Sequence, residues 1–138
     1  MSIIEELEKK QLKQKITPFC VGDTVRVFIR IIEGAKERIQ VFEGIVLGKD
    51  GKGISASFSV YRQAYGTTME KRFFLHNPKI QKIEVLKRGK TRRAKLYYMR
   101  GKTGKKAKVR ELLLKKPVKQ TIVKKEPNEE NQAGAATT

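Results

Sequence analysis

Nearly all of the net positive charge in this chain of 138 residues sits in its back half. Nineteen of the 32 Lys and Arg residues lie between Lys79 and Lys125, against two acids, Glu84 and Glu111. The first 78 residues hold 13 basic and nine acidic side chains, and the last 13 hold three Glu and no base. Self-repulsion on the scale of the back half opposes a compact state. A hydrophobic core must therefore come from residues 18–86. The apolar fraction is 38%, below the roughly 45–50% of globular domains, and the shortfall sits in the cationic half. A unit of about 70 residues buries only about 60% of its unfolded surface and is marginal alone. A partner that binds the folded form would add stability by mass action. The charge makes that partner a polyanion, either nucleic acid or an anionic membrane.

The length fits one domain with appendages. The boundaries read as an N-terminal helix over 1–16, a barrel over 17–86, a basic extension over 87–116 and a tail over 117–138. Cys20 is the single cysteine, so no disulfide framework or CxxC metal pair is available. Between Phe19 and Val21 it is expected to act as a small buried apolar residue. No run of 18 apolar residues is present, and Glu5 and Glu6 interrupt the N-terminus where a signal peptide needs an apolar stretch. A cytoplasmic protein is expected.

Ser2 and Glu5 have the spacing of a capping box, and Ile3, Ile4 and Leu7 form a stripe, so a short helix is predicted over 2–14. A helix this short is marginal in water and should dock on the barrel or on a partner. From Gly22 the period becomes two. Val25, Val27, Ile29 and Ile31 alternate with Arg26, Phe28 and Arg30, giving a first strand. Glu33-Gly34-Ala35-Lys36 reads as a turn before a second strand over 39–49, in which Gly44 is expected to bulge or bend. Asp50-Gly51-Lys52-Gly53 reads as a hairpin turn into a third strand over 54–65. Gly66 turns into a fourth strand over 67–75, and His76-Asn77-Pro78 into a fifth over 80–86. Five short strands at this spacing make the fold mainly β: a small SH3-like barrel, with an OB-fold as the alternative. Val109, Leu112 and Leu113 at i, i+3, i+4 predict a helix over 106–116, ended by Pro117, and the polar residues beyond are expected to be disordered.

No catalytic constellation is present. His76, the only histidine, is expected to be a turn residue with a satisfied hydrogen bond. Neither a GxxxxGK[ST] nor a GxGxxG loop occurs, and no metal site or cofactor is implied. The carboxylates of the front half read as solubilising charge. Seven cations lie between Lys87 and Arg100, alongside Tyr97 and Tyr98. Arg binds phosphate in a bidentate manner and tyrosine stacks on splayed bases. One tyrosine is expected to anchor the arm on the barrel and the other to touch RNA. Gly101 and Gly104 would let Lys102, Lys105 and Lys106 approach phosphates. With so few acids, the arm's charge has no internal partner, so it is expected to order only on RNA. Membrane binding would need a broad apolar face, and only Leu112, Leu113 and Leu114 offer one. Other readings are a KOW-like factor that binds nascent RNA or polymerase, and a DNA-architectural protein, which would need groove wedges that are not evident.

Three segments carry a resemblance: Phe42-Glu43-Gly44-Ile45-Val46, Arg72 to Ile80 through His76-Asn77-Pro78, and Arg88-Gly89-Lys90-Thr91-Arg92-Arg93-Ala94-Lys95-Leu96-Tyr97-Tyr98. With Pro18-Phe19 and Gly22-Asp23-Thr24-Val25 they resemble the bacterial large-subunit ribosomal protein nineteen family, over about residues 1–115. The resemblance implies an SH3-like barrel with helical extensions and a structural, non-enzymatic role bound to large-subunit rRNA at the subunit interface. It also implies bridges to small-subunit rRNA, support of the aminoacyl-tRNA region, and contacts with large-subunit proteins three and fourteen. No membrane and no small-molecule substrate enter. Carried onto this chain, the RNA contacts are Lys87, Arg88, Lys90, Arg92, Arg93, Lys95, Tyr98, Arg100, Lys102, Lys105 and Lys106. Asn77 stands where the family usually has Ser, and Lys87 where Arg is common. The tail past Leu114, with Lys119, Lys124 and Lys125, runs beyond the family's usual end.

Overall fold

The computed structural model describes residues 2–113. One helix, α1 (Ile3–Gln11), precedes five strands: β1 (Thr24–Glu33), β2 (Lys36–Asp50), β3 (Ser57–Ala64), β4 (Thr67–Phe74) and β5 (Ile80–Lys87). The strands form one antiparallel sheet in the order β4-β3-β2-β1-β5. β4 and β5 occupy opposite edges. Yet Phe73 of β4 and Ile80 and Ile83 of β5 share a core cluster with Val25, Val27, Phe42, Val46, Phe58 and Val60. The sheet must curl for its edges to meet over one core, which makes it the small barrel that the strand pattern predicts. Aromatic rings fill the centre in edge-on and tilted pairs, Phe42 with Phe73 at 5.7 Å, Phe58 with Phe73 at 5.6 Å, and Phe19 with Phe58 at 5.0 Å.

The period-two residues of β1 behave as expected, with Val25 and Val27 fully buried. Gly44 does not bulge. A Cβ there would lie 2.3 Å from the Tyr61 carbonyl oxygen, so the glycine serves the close approach of β3. The irregularity falls between Val46 and Gly48, leaving Leu47 as the extra residue. Asp50-Gly51 does not make a tight hairpin either. A single 3-10 turn, Gly53–Ser55, intervenes, and β3 starts at Ser57 rather than at 54. The two-residue turn lies at the far end of β3, where Tyr65 (φ 53°) and Gly66 (φ 74°) both adopt left-handed geometry. Cys20 is exposed, in contrast to the buried role expected. In this extended segment Phe19 points inward, and Cys20 turns out while its N–H donates to Asp23.

In α1, Ser2 Oγ accepts from Glu5 N–H at 3.4 Å, and acids open and lysines close the helix as the macrodipole favours. Its stripe stays exposed, with Ile3 at 78% and Ile4 at 68%. The chain after it does dock. Lys13 donates its backbone N–H to His76 Nδ1 at 3.1 Å and its ammonium to the carbonyls of Asn77 and Ile80 at 2.6 and 2.5 Å. Partial burial there pulls the Lys13 pKa below that of a free lysine. His76 is thus the satisfied turn residue predicted.

Candidate nucleic-acid interface

The basic arm after β5 is folded onto the barrel. Its first residues run antiparallel to its last: Lys90 N–H donates to the Arg110 carbonyl and Leu112 N–H to the Arg88 carbonyl, both at 2.7 Å, around a Gly89–Glu111 bridge. Residues 106–113 are therefore a 3-10 turn (Gly104–Ala107) and extended chain instead of the predicted helix. Val109, Leu112 and Leu113 fit either geometry over so short a run, and the backbone partners at Arg88 and Lys90 decide it. Lys115, Lys116, Pro117 and the tail lie outside the described residues.

A second apolar cluster fastens the arm. Leu96 and Met99, each 1% exposed, pack on Leu47 and Tyr61, with Val21, Ile45 and Val109 against them. The 3-10 turn Tyr97–Met99 sets Leu96 and Met99 facing inward, and Leu96 N–H donates to the Leu47 carbonyl at 2.8 Å. Buried Asp23 clamps the arm's root: one carboxylate oxygen accepts from Cys20 N–H (2.9 Å), the other from Gly89 N–H (3.0 Å). Gly89 has to be glycine, since a Cβ would sit 2.1 Å from the Gly22 carbonyl oxygen. Tyr61 OH donates to the Lys102 carbonyl at 3.1 Å, and Thr91 OH to that of Val21 at 3.1 Å. Four buried apolar side chains and several barrel acceptors fasten the arm in this fold and oppose its repulsion.

Two of the eleven predicted contacts pair with carboxylates among the described residues. Lys95 pairs with Asp50 at 2.5 Å, and Arg100 holds both oxygens of Glu70 at 2.8 and 2.9 Å. The hydrogen bonds and charge of these pairs raise the pKa values of both cations, and Lys95, with Arg72 beside it, holds Asp50 below the usual carboxylate value.

Lys90, Arg92, Arg93, Tyr98 and Lys102 come together around an open cavity of about 610 Å³, joined by Thr91 and Arg110. None of these five cations has a carboxylate at ion-pair distance among the described residues. Lys90 and Arg110 sit opposite each other on the short ladder, where like charges repel. The Tyr98 ring accommodates two other cations, with Arg93 at 5.3 Å and Lys102 at 4.8 Å from its centroid. What remains is a concentrated, unneutralised positive potential that an anion relieves. Lys87, Arg88, Lys105 and Lys106 are exposed outside this cavity.

The two tyrosines divide as expected in position. Tyr97 leans on the barrel beneath Arg100 (4.4 Å), its hydroxyl near Gly48, while Tyr98 lines the cavity. Arg110 is the member that the sequence reading missed. The alternation Lys108-Val109-Arg110-Glu111 is its only local signal, and it competes with the helical spacing around it. Among the described residues no group of His, Cys, Asp or Glu is placed to hold a metal ion, and no helix is long and apolar enough to cross a membrane.

The family profile of ribosomal protein L19 matches residues 2–112. The large ribosomal subunit protein bL19 of Protochlamydia amoebophila is 60% identical over 109 residues, covering 79% of this chain and 81% of the relative. Those of Chlamydia abortus and Chlamydia muridarum are 54% and 53% identical, each covering 81% of this chain and 93% of the relative. Carrying that barrel, that arm and these identities, the chain belongs to the bacterial ribosomal protein L19 family.

Proposed function

We propose that the chain is a structural constituent of the large ribosomal subunit and acts by binding rRNA through the arm cavity. The supporting observation is the gathering of Lys90, Arg92, Arg93, Lys102 and Arg110, without acidic partners, on an arm already fixed to a rigid barrel. Phosphates entering the cavity gain charge-assisted hydrogen bonds, and the arm, already ordered, loses little entropy on binding. Tyr98 offers a stacking face to an unpaired base. In this reading the arm neutralises RNA segments that would otherwise repel each other. The protein sits where the two subunits meet, supports bridges to small-subunit rRNA and the aminoacyl-tRNA region, and touches large-subunit proteins three and fourteen. No chemistry is catalysed.

A sucrose-gradient profile of lysate at low magnesium, with the protein quantified in every fraction, tests this. About one copy per large subunit, surviving a moderate salt wash, is the expected result, since multiple phosphate contacts and a docked platform resist dissociation. A peak at the top of the gradient, with large subunits empty of the protein, would reject it in favour of a free RNA- or polymerase-binding factor.

A further inference from the structure

Tyr61 carries an oxygen that its packing does not require. Its ring is 4% exposed and lies in the second apolar cluster with Leu47, Leu96 and Met99, a place that a phenylalanine ring would fill equally well. A buried hydroxyl gives up water and needs a partner in return. Here the partner is the Lys102 carbonyl at 3.1 Å. Lys102 stands in an exposed loop, where water can take that carbonyl once the hydroxyl is absent. Such an exchange of partners changes net stability little. The bond therefore selects a conformation of the arm more than it holds the fold together.

The loop that it grips is permissive by sequence. Gly101 (φ 75°) and Gly104 (φ 63°) flank Lys102 and Thr103, and nothing lies within 4 Å of where a Cβ would stand on either glycine. Glycine at both ends opens many backbone paths to the residues between. Two holds on the barrel narrow them. Tyr61 of β3 and Glu70 of β4 are direct cross-strand partners, so both point to the side on which the arm lies. Glu70 takes the Arg100 guanidinium on one side of Gly101, and the Tyr61 hydroxyl takes the Lys102 carbonyl on the other. The Lys102 N–H donates to the Met99 carbonyl at 3.1 Å, so the peptide groups before and after Lys102 are both held. From that fixed backbone the side chain reaches the cavity, its ammonium 4.8 Å from the Tyr98 ring centroid.

We propose that Tyr61 is a positioning residue for RNA binding: through the Lys102 peptide its hydroxyl holds the Lys102 ammonium in the arm cavity. The proposal rests on the reading that this cavity takes rRNA phosphates. Tyr61 is buried and acts only through Lys102. Without the hydroxyl, the loop and its rotamer-rich lysine have to be ordered each time a phosphate binds. Lys90 and Arg110 are set by the short ladder between the two ends of the arm, so they do not depend on this oxygen.

Affinity of the full-length chain for a large-subunit rRNA transcript, measured across a salt series, tests this in two double-mutant cycles. One combines Tyr61→Phe with Lys102→Ala, the other Tyr61→Phe with Lys90→Ala. Tyr61→Phe should stay folded by circular dichroism and bind about three- to tenfold more weakly at every salt concentration, with a slope near that of wild type. In the Lys102→Ala background the same change should cost less than about twofold, while in the Lys90→Ala background it should cost its full factor. A residue that only stabilised the barrel would weaken binding equally in both. Wild-type affinity in Tyr61→Phe, equal losses in the two backgrounds, a wild-type slope in Lys102→Ala alone, or loss of the fold in Tyr61→Phe overturns the proposal. Failure of the wild-type chain to bind the transcript, or a slope unchanged in both Lys102→Ala and Lys90→Ala, would instead sink the rRNA-binding reading of the cavity.

Discussion

Asp23 is a buried carboxylate, 2% exposed, whose two oxygens each hold a backbone N–H from a different part of the chain. Removing it strands both donors. Asp23→Ala should cost about 2–6 kcal/mol, from two desolvated amides at roughly 1–3 kcal/mol each, seen as a lower urea midpoint. Asp23→Asn should recover only part, because its amide NH₂ faces a donor where an acceptor is needed. Equal stability of Asp23→Ala and wild type would show that the clamp is idle. Gly89→Ala tests the same junction sterically: the 2.1 Å clash with the Gly22 carbonyl should destabilise by about 1–3 kcal/mol. The dipeptide Gly22-Asp23 was visible in the sequence as the opening of a barrel strand. Its second role was not, because Gly89 lies 66 residues away and only the fold brings the two together.

The period two of β1 was read correctly because Val25 and Val27 are buried while Arg26 and Phe28 lie on the opposite face, and that contrast is local. The arm's element was misread because its backbone partners are remote. A run of Val109, Leu112 and Leu113 has no strand character until Arg88 and Lys90 offer their backbone groups. Charge misled as well. The acids that hold the arm, Asp50 and Glu70, belong to the barrel and look like solubilising residues in the sequence. A pH experiment isolates this contact. Lys95, then Arg72, holds the Asp50 pKa in the folded state below its ordinary value of 3.8. A depressed carboxylate pKa gives stability that is present above the unfolded value and lost as pH falls through the folded one. Exchange of the Leu96 amide, bonded to the Leu47 carbonyl, should therefore accelerate as pH falls below about 4, after correction for intrinsic rates. Asp50→Asn should lack that acid-dependent increment and show faster Leu96 exchange at neutral pH. Glu33, also lowered, by Arg38 beside the β1–β2 turn, contributes to global acid unfolding but not to this local readout. An identical pH profile in Asp50→Asn would remove Asp50 as the clip.

At the scale of the whole molecule, the fold sorts the described cations into those with internal carboxylate partners and those without them. Lys95 and Arg100 hold the arm, Arg26, Arg30 and Lys82 are cancelled by Glu43, Glu37 and Glu84, and five cations converge on one cavity. The sequence shows the total but not this sorting, which requires knowing which acids reach which bases. Salt dependence of RNA binding measures it. Each phosphate contact contributes roughly 0.7–0.9 to the slope of log K against log salt. Arg92→Ala/Arg93→Ala should lower the slope by about 1.4–1.8, twice that single contribution, while circular dichroism stays that of a folded barrel. Arg110→Ala, at a position that the sequence reading missed, should lower it by about 0.7–0.9, as any one cavity cation does. Arg100→Ala should behave differently. It frees Glu70 and loosens the arm, so affinity falls at every salt concentration with little change in slope. If Arg110→Ala leaves the slope untouched while Arg100→Ala lowers it by a full contact, phosphates bind along the outer edge of the arm. The cavity would then be only a gap between charges that repel.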